Sequence, residues 1–195
     1  MKPIAQYMTG RMLYQVFLHL STIVLAVLVV VLVRQNRELR GGMAPPENFK
    51  VGDVFTLGGL VQVQGTTALD TASPCLLLIF NTRCPHCKKN IPRWQTLADS
   101  IGAEGIQIAG IALDSAETAR RFNSENGIRF PVYVPDDQAD FGKTRKVGSV
   151  PQTALRGGNG RIEYMWTGGL SEKALKEVVT AISEYKKPTK VVHTQ

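Results

Sequence analysis

The sequence of 195 residues predicts an α/β domain, a sheet covered by helices on both faces, behind an N-terminal transmembrane helix. Three observations predict it. Residues 12–33 are almost wholly apolar and long enough to cross a bilayer. Segments of strand and helix character alternate after residue 49. A Cys-x-x-Cys pair, Cys84-Pro85-His86-Cys87, stands where one of those strands gives way to a helix.

Taken in order, residues 1–11 are a short N-terminal flank and residues 12–33 the membrane anchor, in contact with lipid. A cleavable signal peptide would carry a shorter apolar core and a small-residue cleavage site. Here Arg34-Gln35-Asn36-Arg37-Glu38-Leu39-Arg40 follows, which favours an uncleaved anchor. His19, near one end of the span and without a second polar partner, reads as a tolerated residue. Lys2 and Arg11 flank one side and Arg34, Arg37 and Arg40 the other, so charge does not set the orientation. Residues 34–48 form a linker, in which Gly41-Gly42 and Pro45-Pro46 cannot continue a helix.

The folded domain is expected over residues 49–187. Residues 53–56 and 60–64 suit short strands joined by Gly58-Gly59, and residues 74–80 suit a buried central strand. A helix is predicted from Pro85 to about Ser100, a strand over 106–113, a helix from Ser115 to about Asn126, a strand near 130–134 and a short helical stretch over 137–144. Strands over 152–155 and 161–166 flank the turn Gly157-Gly158-Asn159-Gly160, and Ser171 caps a terminal helix reaching Tyr185. The polar tail 188–195 receives no role.

Composition narrows the function classes. Residues 1–49 hold five Lys/Arg against two Glu, and residues 50–195 eighteen basic against fourteen acidic, so the net charge of +7 is spread thinly. A nucleic-acid binder concentrates its cations on one stripe among aromatics. Nothing longer than Lys88, Lys89 and Arg93 is present, and no nucleic-acid partner is expected. Three cysteines are too few for a stapled scaffold, and an odd number leaves one thiol unpaired within the chain. Cys75 opens the run Cys75-Leu76-Leu77-Leu78-Ile79-Phe80 and reads as a small buried hydrophobe.

The paired cysteines carry the chemistry. A first thiol at a helix N-terminus meets free N–H groups and the positive end of the helix dipole, which stabilise a thiolate. Cys84 is therefore the expected nucleophile, and Cys87, one turn on, the thiol that resolves a mixed disulfide. Pro85 and His86 tune the pair, with His86 placing donor or positive character beside Cys84. Together with Lys88, Lys89 and Arg93 this holds the Cys84 pKa below the free value of about 8.5. A zinc site lacks ligands, because His86 lies inside the motif, His19 in the span, His193 in the tail and Cys75 in a strand. No metal and no cofactor are expected. A purely structural bridge closing so small a loop would constrain the unfolded chain little.

The stretch Leu76 to Pro92, LLLIFNTRCPHCKKNIP, resembles the active-site strand and helix of thioredoxin-like proteins, including the proline inside that helix. Val147-Gly148-Ser149-Val150-Pro151-Gln152-Thr153 is similar to the family's cis-proline loop, with Pro151 the matching residue. The resemblance implies a central mixed sheet flanked by helices and a cis Val150–Pro151 bond. It also implies a Val150 backbone exposed for pairing with an extended substrate, next to a proline that offers no N–H. Sixty-four positions separate Cys87 from Pro151, and this surplus resembles the insertion of the TlpA/ResA-like membrane-anchored branch, as does Ile108–Asp114, IAGIALD. MauD-type proteins are further relatives. The branch implies a bacterial single-pass protein with its catalytic domain outside the cytoplasmic membrane. It implies exchange of disulfides with exported protein clients, apocytochrome c among them, and a membrane redox partner that recharges the pair.

Departures from the pattern leave the electron flow open. Leu78 stands where thioredoxins proper keep a buried acid, and Arg83 replaces the aromatic that commonly precedes the first cysteine. The TlpA/ResA resemblance implies a reductant, while Cys-Pro-His-Cys resembles DsbA-type oxidants. Two other functions stand as alternatives: a peroxiredoxin-related antioxidant protein and an anchored domain that binds clients without redox turnover. The peroxiredoxin pattern Pro-x-x-x-Thr-x-x-Cys fails here, with Asn81 in the threonine position and no proline at the required offset before it.

Overall fold

The computed structural model describes residues 5–41, 47–66, 68–101 and 105–186. Part of the expected flank (1–4), part of the expected linker (42–46) and the expected tail (188–195) lie outside the described residues. The chain divides into two units, within residues 1–45 and 46–195.

The first unit holds helix α1 (Ala5–Gly41). Its segment Met12–Gln35 is 24 residues with a mean hydropathy of 2.9, long and apolar enough to cross a membrane. Two hydroxyls inside that segment are satisfied within the helix. Ser21 Oγ donates to Leu18 O at 2.9 Å, and Thr22 Oγ1 to His19 O at 2.8 Å. A polar group placed in hydrocarbon requires such an internal partner.

The second unit runs β1 (Leu60–Gln64), β2 (Cys75–Phe80), α2 (Pro85–Ile101), β3 (Gln107–Ala112), α3 (Ala116–Glu125), β4 (Val132–Pro135), α4 (Gln138–Thr144), β5 (Gln152–Arg156), β6 (Ile162–Thr167) and α5 (Glu172–Lys186). Its single six-stranded sheet has the order β1-β4-β3-β2-β5-β6. The β2–β3 and β3–β4 pairs are parallel; β1–β4, β2–β5 and β5–β6 are antiparallel. It is the mixed sheet flanked by helices that the sequence predicts, a thioredoxin-like fold.

Every residue of β2 is buried, and alternation along the strand sends its side chains into two cores. Leu76, Leu78 and Phe80 pack with Trp94 and Leu97 of α2, Phe122 of α3 and Val178 and Ile182 of α5. Cys75, Leu77 and Ile79 pack with Phe49, Phe55, Phe141 of α4 and Ile162. One face is thus covered by three helices, the other by α4 and the segment 49–57. Three of the helices start on side-chain caps: Ser115 Oγ accepts from Thr118 N at the head of α3, Asp137 Oδ1 from Asp140 N at the head of α4, and Ser171 Oγ from Ala174 N ahead of α5.

The strand expected over 53–56 does not form beyond a single bridge between Val54 and Arg161. Asp53 O accepts from Ile162 N at 2.9 Å and Phe55 N donates to Gly160 O at 2.8 Å, but the Phe55 and Thr56 carbonyls are taken by arginines. Arg156 Nε donates to Phe55 O at 2.8 Å and Arg145 Nε to Thr56 O at 3.3 Å. Arg156 is itself buried, and its Nη2 reaches Thr71 O at 2.9 Å, so this one guanidinium ties two segments, at Phe55 and at Thr71, to the end of β5. Gly110 in β3 has the opposite role: a Cβ there would come within 2.8 Å of the Phe130 ring, so glycine lets that ring lie on the sheet.

Cys75 has no solvent exposure, and burial pushes its thiol up to about 12 from an ordinary value near 9.0. Between these values the unfolded chain has released the proton that the folded chain retains, so stability falls as pH rises through that window. Below pH 9 both states hold the proton and no penalty arises. Cys75→Ala should flatten this alkaline loss relative to wild type in urea melts from pH 8 to 11. Parallel curves would show that Cys75 does not titrate in this way.

Candidate functional site

Strand β2 ends at Phe80, and Asn81–Arg83 carry the chain across the sheet edge into α2. Cys84 N donates to Asn81 O at 3.1 Å, which closes this turn and puts Cys84 directly ahead of the helix. Pro85 occupies the first helical position, where its missing N–H leaves no intrahelical bond unmade. Cys84 and Cys87 are joined by a disulfide, with their Cα atoms 5.2 Å apart. Their environments differ. Cys84 is half-buried at the surface, whereas Cys87 is 1% exposed and packs in the core cluster with Leu78 and Trp94. Cys87 N points its hydrogen at Cys84 Sγ across 3.1 Å, the orientation in which a free backbone donor stabilises negative charge on sulfur.

Facing this pair is the loop from Val147 to Pro151, before β5. The Val150–Pro151 peptide bond is cis, and Val150 O lies 3.9 Å from Cys84 Sγ. Pro151 O accepts from Gly168 N at 2.8 Å, fixing the loop on its β6 side. Between the two lies an open groove lined by Asn81, Arg83, Cys84, Leu113, Val147 and Val150. The structure therefore brings Cys84, Pro85, Cys87, Val150 and Pro151 to one place. His86 is exposed in the first turn of α2 and its side chain makes no hydrogen bond among the described residues; Lys88 and Lys89 are exposed beside it. Arg93 turns instead to Glu172 of α5, at 3.7 Å. Among the described residues no three His, Cys, Asp or Glu side chains gather as metal ligands would.

Sequence reasoning did not single out the polar side chains that shape these loops. Asp114, at the end of β3 and 8% exposed, accepts from Thr82 N at 2.7 Å and from Asn81 Nδ2 at 3.2 Å. Asn81 Nδ2 also donates to Leu113 O, and Asn81 Oδ1 accepts from Arg83 N. Asn90, on the buried face of α2, receives Leu170 N on its Oδ1 and donates to Gly168 O. Trp94 Nε1 donates to Thr153 Oγ1 at 2.9 Å through the core. The available signal was an acid placed directly after an apolar strand and ahead of a capping serine, a position from which a side chain reaches a neighbouring loop.

The profile of the AhpC/TSA family matches residues 53–165. Among curated proteins, the chain is 26% identical over 107 residues to thiol-disulfide oxidoreductase ResA of Halalkalibacterium halodurans, covering 54% of this chain and 60% of that one. It is 24% identical over 176 residues to thiol:disulfide interchange protein DsbE of Haemophilus influenzae, covering 82% and 92%. With sporulation thiol-disulfide oxidoreductase A of Bacillus subtilis it shares 26% identity over 52% of this chain and 64% of the other. The chain thus spans about 60% of the length of two of these relatives and nearly all of the third. Similar solved structures include the thioredoxin domain of a thiol-disulfide oxidoreductase from Bacteroides vulgatus, at TM-score 0.57 and 16% identity over 69% of this chain and 99% of that one. A thiol-disulfide isomerase from Corynebacterium glutamicum gives TM-score 0.54 and 18% identity over 68% and 95%. The enzyme class expected from the sequence is the class these relatives are named for.

Asp114→Ala would leave the Thr82 N–H without its acceptor, at a cost of about 1–3 kcal/mol in unfolding free energy. Asp114→Asn, which keeps one acceptor oxygen, should cost less. Equal losses in urea denaturation would mean that the carboxylate acts otherwise than through these bonds.

Proposed function

This chain belongs to the AhpC/TSA family of thioredoxin-like proteins, and on that premise we propose that it is a thiol–disulfide oxidoreductase whose Cys84–Cys87 pair exchanges electrons with protein clients. One observation carries the reading: a half-buried Cys84 bonded to a buried Cys87 at a helix N-terminus, open to a groove beneath Val150.

In the reducing direction, the Cys84 thiolate attacks one sulfur of a client disulfide. A mixed disulfide forms and the other client sulfur leaves as thiolate. Cys87, deprotonated, then attacks Cys84 Sγ, which restores the Cys84–Cys87 disulfide and releases the client as a dithiol. Two electrons pass from the pair to the client. A dithiol on a membrane redox partner returns them by the same two steps in reverse. Cys84 is the nucleophile because it alone of the two is reachable, and the Cys87 N–H and the α2 dipole stabilise its thiolate. His86, Lys88 and Lys89 add positive or donor character on the exposed side. Val150 presents its backbone to an extended client segment, and Pro151, lacking an N–H, offers no competing donor.

We read the protein as a reductant in the maturation of apocytochrome c or other exported proteins. In this reading it is anchored in a bacterial cytoplasmic membrane by residues 12–33, followed by a linker over 34–48, with domain 49–187 on the outer side. The TlpA/ResA resemblance supports this direction. The Cys-Pro-His-Cys sequence supports the oxidising alternative, in which the same steps run from disulfide Cys84–Cys87 to a client dithiol. A peroxidase reading is not favoured, because Asn81 stands in the threonine position and its amide is engaged with Leu113 and Asp114.

Full-length Cys87→Ala, reduced and mixed with a disulfide-bonded protein, should accumulate a mixed disulfide through Cys84 on non-reducing gels, while Cys84→Ala should form none. Adduct formation by Cys84→Ala, or none by Cys87→Ala, would contradict the assigned roles.

A further inference from the structure

We propose that Asn48 is a positioning residue for client docking: its side chain holds the loop that presents the Val150 backbone to Cys84. This rests on the exchange reaction proposed above.

Asn48 Oδ1 accepts from Gly148 N at 3.0 Å, Ser149 N at 2.9 Å, Ser149 Oγ at 3.2 Å and Gln152 Nε2 at 2.7 Å. Its Nδ2 donates to Ser149 Oγ at 2.9 Å. Neither loop amide belongs to the sheet ladder, so Asn48 does for residues 148 and 149 what a neighbouring strand would do. Gln152 has no solvent exposure, and its Nε2 also donates to Ser149 O at 2.7 Å, so the knot reaches from the surface to the start of β5. Removing the Asn48 side chain would orphan several donors, one of them on a fully buried residue.

The anchor is itself fixed. Phe49, the next residue, is 2% exposed, donates its N–H to Lys146 O at 2.8 Å and packs edge-on against Phe55. With Gly168 N holding Pro151 O on the other side, the loop is pinned before and after Val150, which lines the groove together with Val147, Gly148 and Ser149. None of these bonds touches Cys84 or Cys87. Loss of Asn48 should therefore weaken the seating of a peptide segment and spare the sulfur chemistry.

The test uses reduced full-length protein in detergent and two probes with the same leaving group. One is dithionitrobenzoate; the other is a short unstructured peptide whose single cysteine carries a thionitrobenzoate disulfide. Thiolate release is followed in a stopped-flow instrument. Asn48→Ala should raise the half-saturating peptide concentration about tenfold, the equivalent of one hydrogen bond lost from docking, with the maximal rate and the dithionitrobenzoate rate within about twofold of wild type. Asn48→Asp keeps Oδ1 and should recover most of the loss. An unchanged half-saturating concentration, an equal loss on both probes, or no recovery in Asn48→Asp would overturn the proposal. Hydrogen exchange at Gly148 and Ser149 separates it from the redox reading. Faster exchange in Asn48→Ala supports the pinning and unchanged exchange overturns it, whereas wild-type protein that reacts with neither probe sinks the redox reading instead.

Discussion

Six consecutive buried residues, Cys75 to Phe80, supply both cores of the domain, and the position of every reactive group follows from where that strand stops. Side chains of β2 alternate between α2, α3 and α5 on one side and α4 with segment 49–57 on the other, so the strand cannot shift register without exchanging its two apolar sets. Its parallel pairing with β3 from Cys75↔Gln107 to Phe80↔Ala112, and its antiparallel pairing with β5, hold it from both edges. The chain then leaves the sheet at a fixed point, turns through Asn81–Arg83, and delivers Cys84 to the head of α2. Burial of Cys87, Ile91, Trp94 and Leu97 on one face of that helix sets its rotation, which separates a reachable sulfur from a sheltered one.

Polar side chains complete what the cores begin. Asp114 fixes the loop before Cys84 from β3, and Asn90 ties α2 to the segment after β6. Trp94 joins α2 to β5 through Thr153, and Asn48 holds the loop before Pro151. Each joins segments distant in sequence. Together they hold two loops, one bearing sulfur and one bearing an accessible backbone, in a constant relation across an open groove. Preorganisation of this kind lowers the cost of ordering a flexible client at the moment of reaction.

The fold was legible where local signals agree with the tertiary outcome. The unbroken apolar run marked β2, the serines marked the heads of α3 and α5, and strand–motif–helix order marked the cysteine junction. The segment 53–56 misled because its alternation looks like a strand, while its backbone pairing stops at one bridge and its Phe55 and Thr56 carbonyls go to the side chains of Arg156 and Arg145, which no local pattern reveals. The same limit applies to the site. Cys84, Cys87 and the proline loop carry motifs, whereas Asp114 and Asn48 act only through contacts 32 and about one hundred residues away. A lone polar residue beside a helix cap or a Pro-Pro pair gives no such signal until the chain is folded.

The central claim is that Cys84 and Cys87 form a reversible two-electron couple, and equilibration of the full-length protein with glutathione buffers tests it most directly. The account predicts a single reversible transition involving both cysteines, with a potential towards the thioredoxin value of about −270 mV for a reductant and towards about −120 mV for the oxidising alternative. A disulfide that fails to equilibrate with glutathione, or a transition that survives replacement of Cys84, would contradict it.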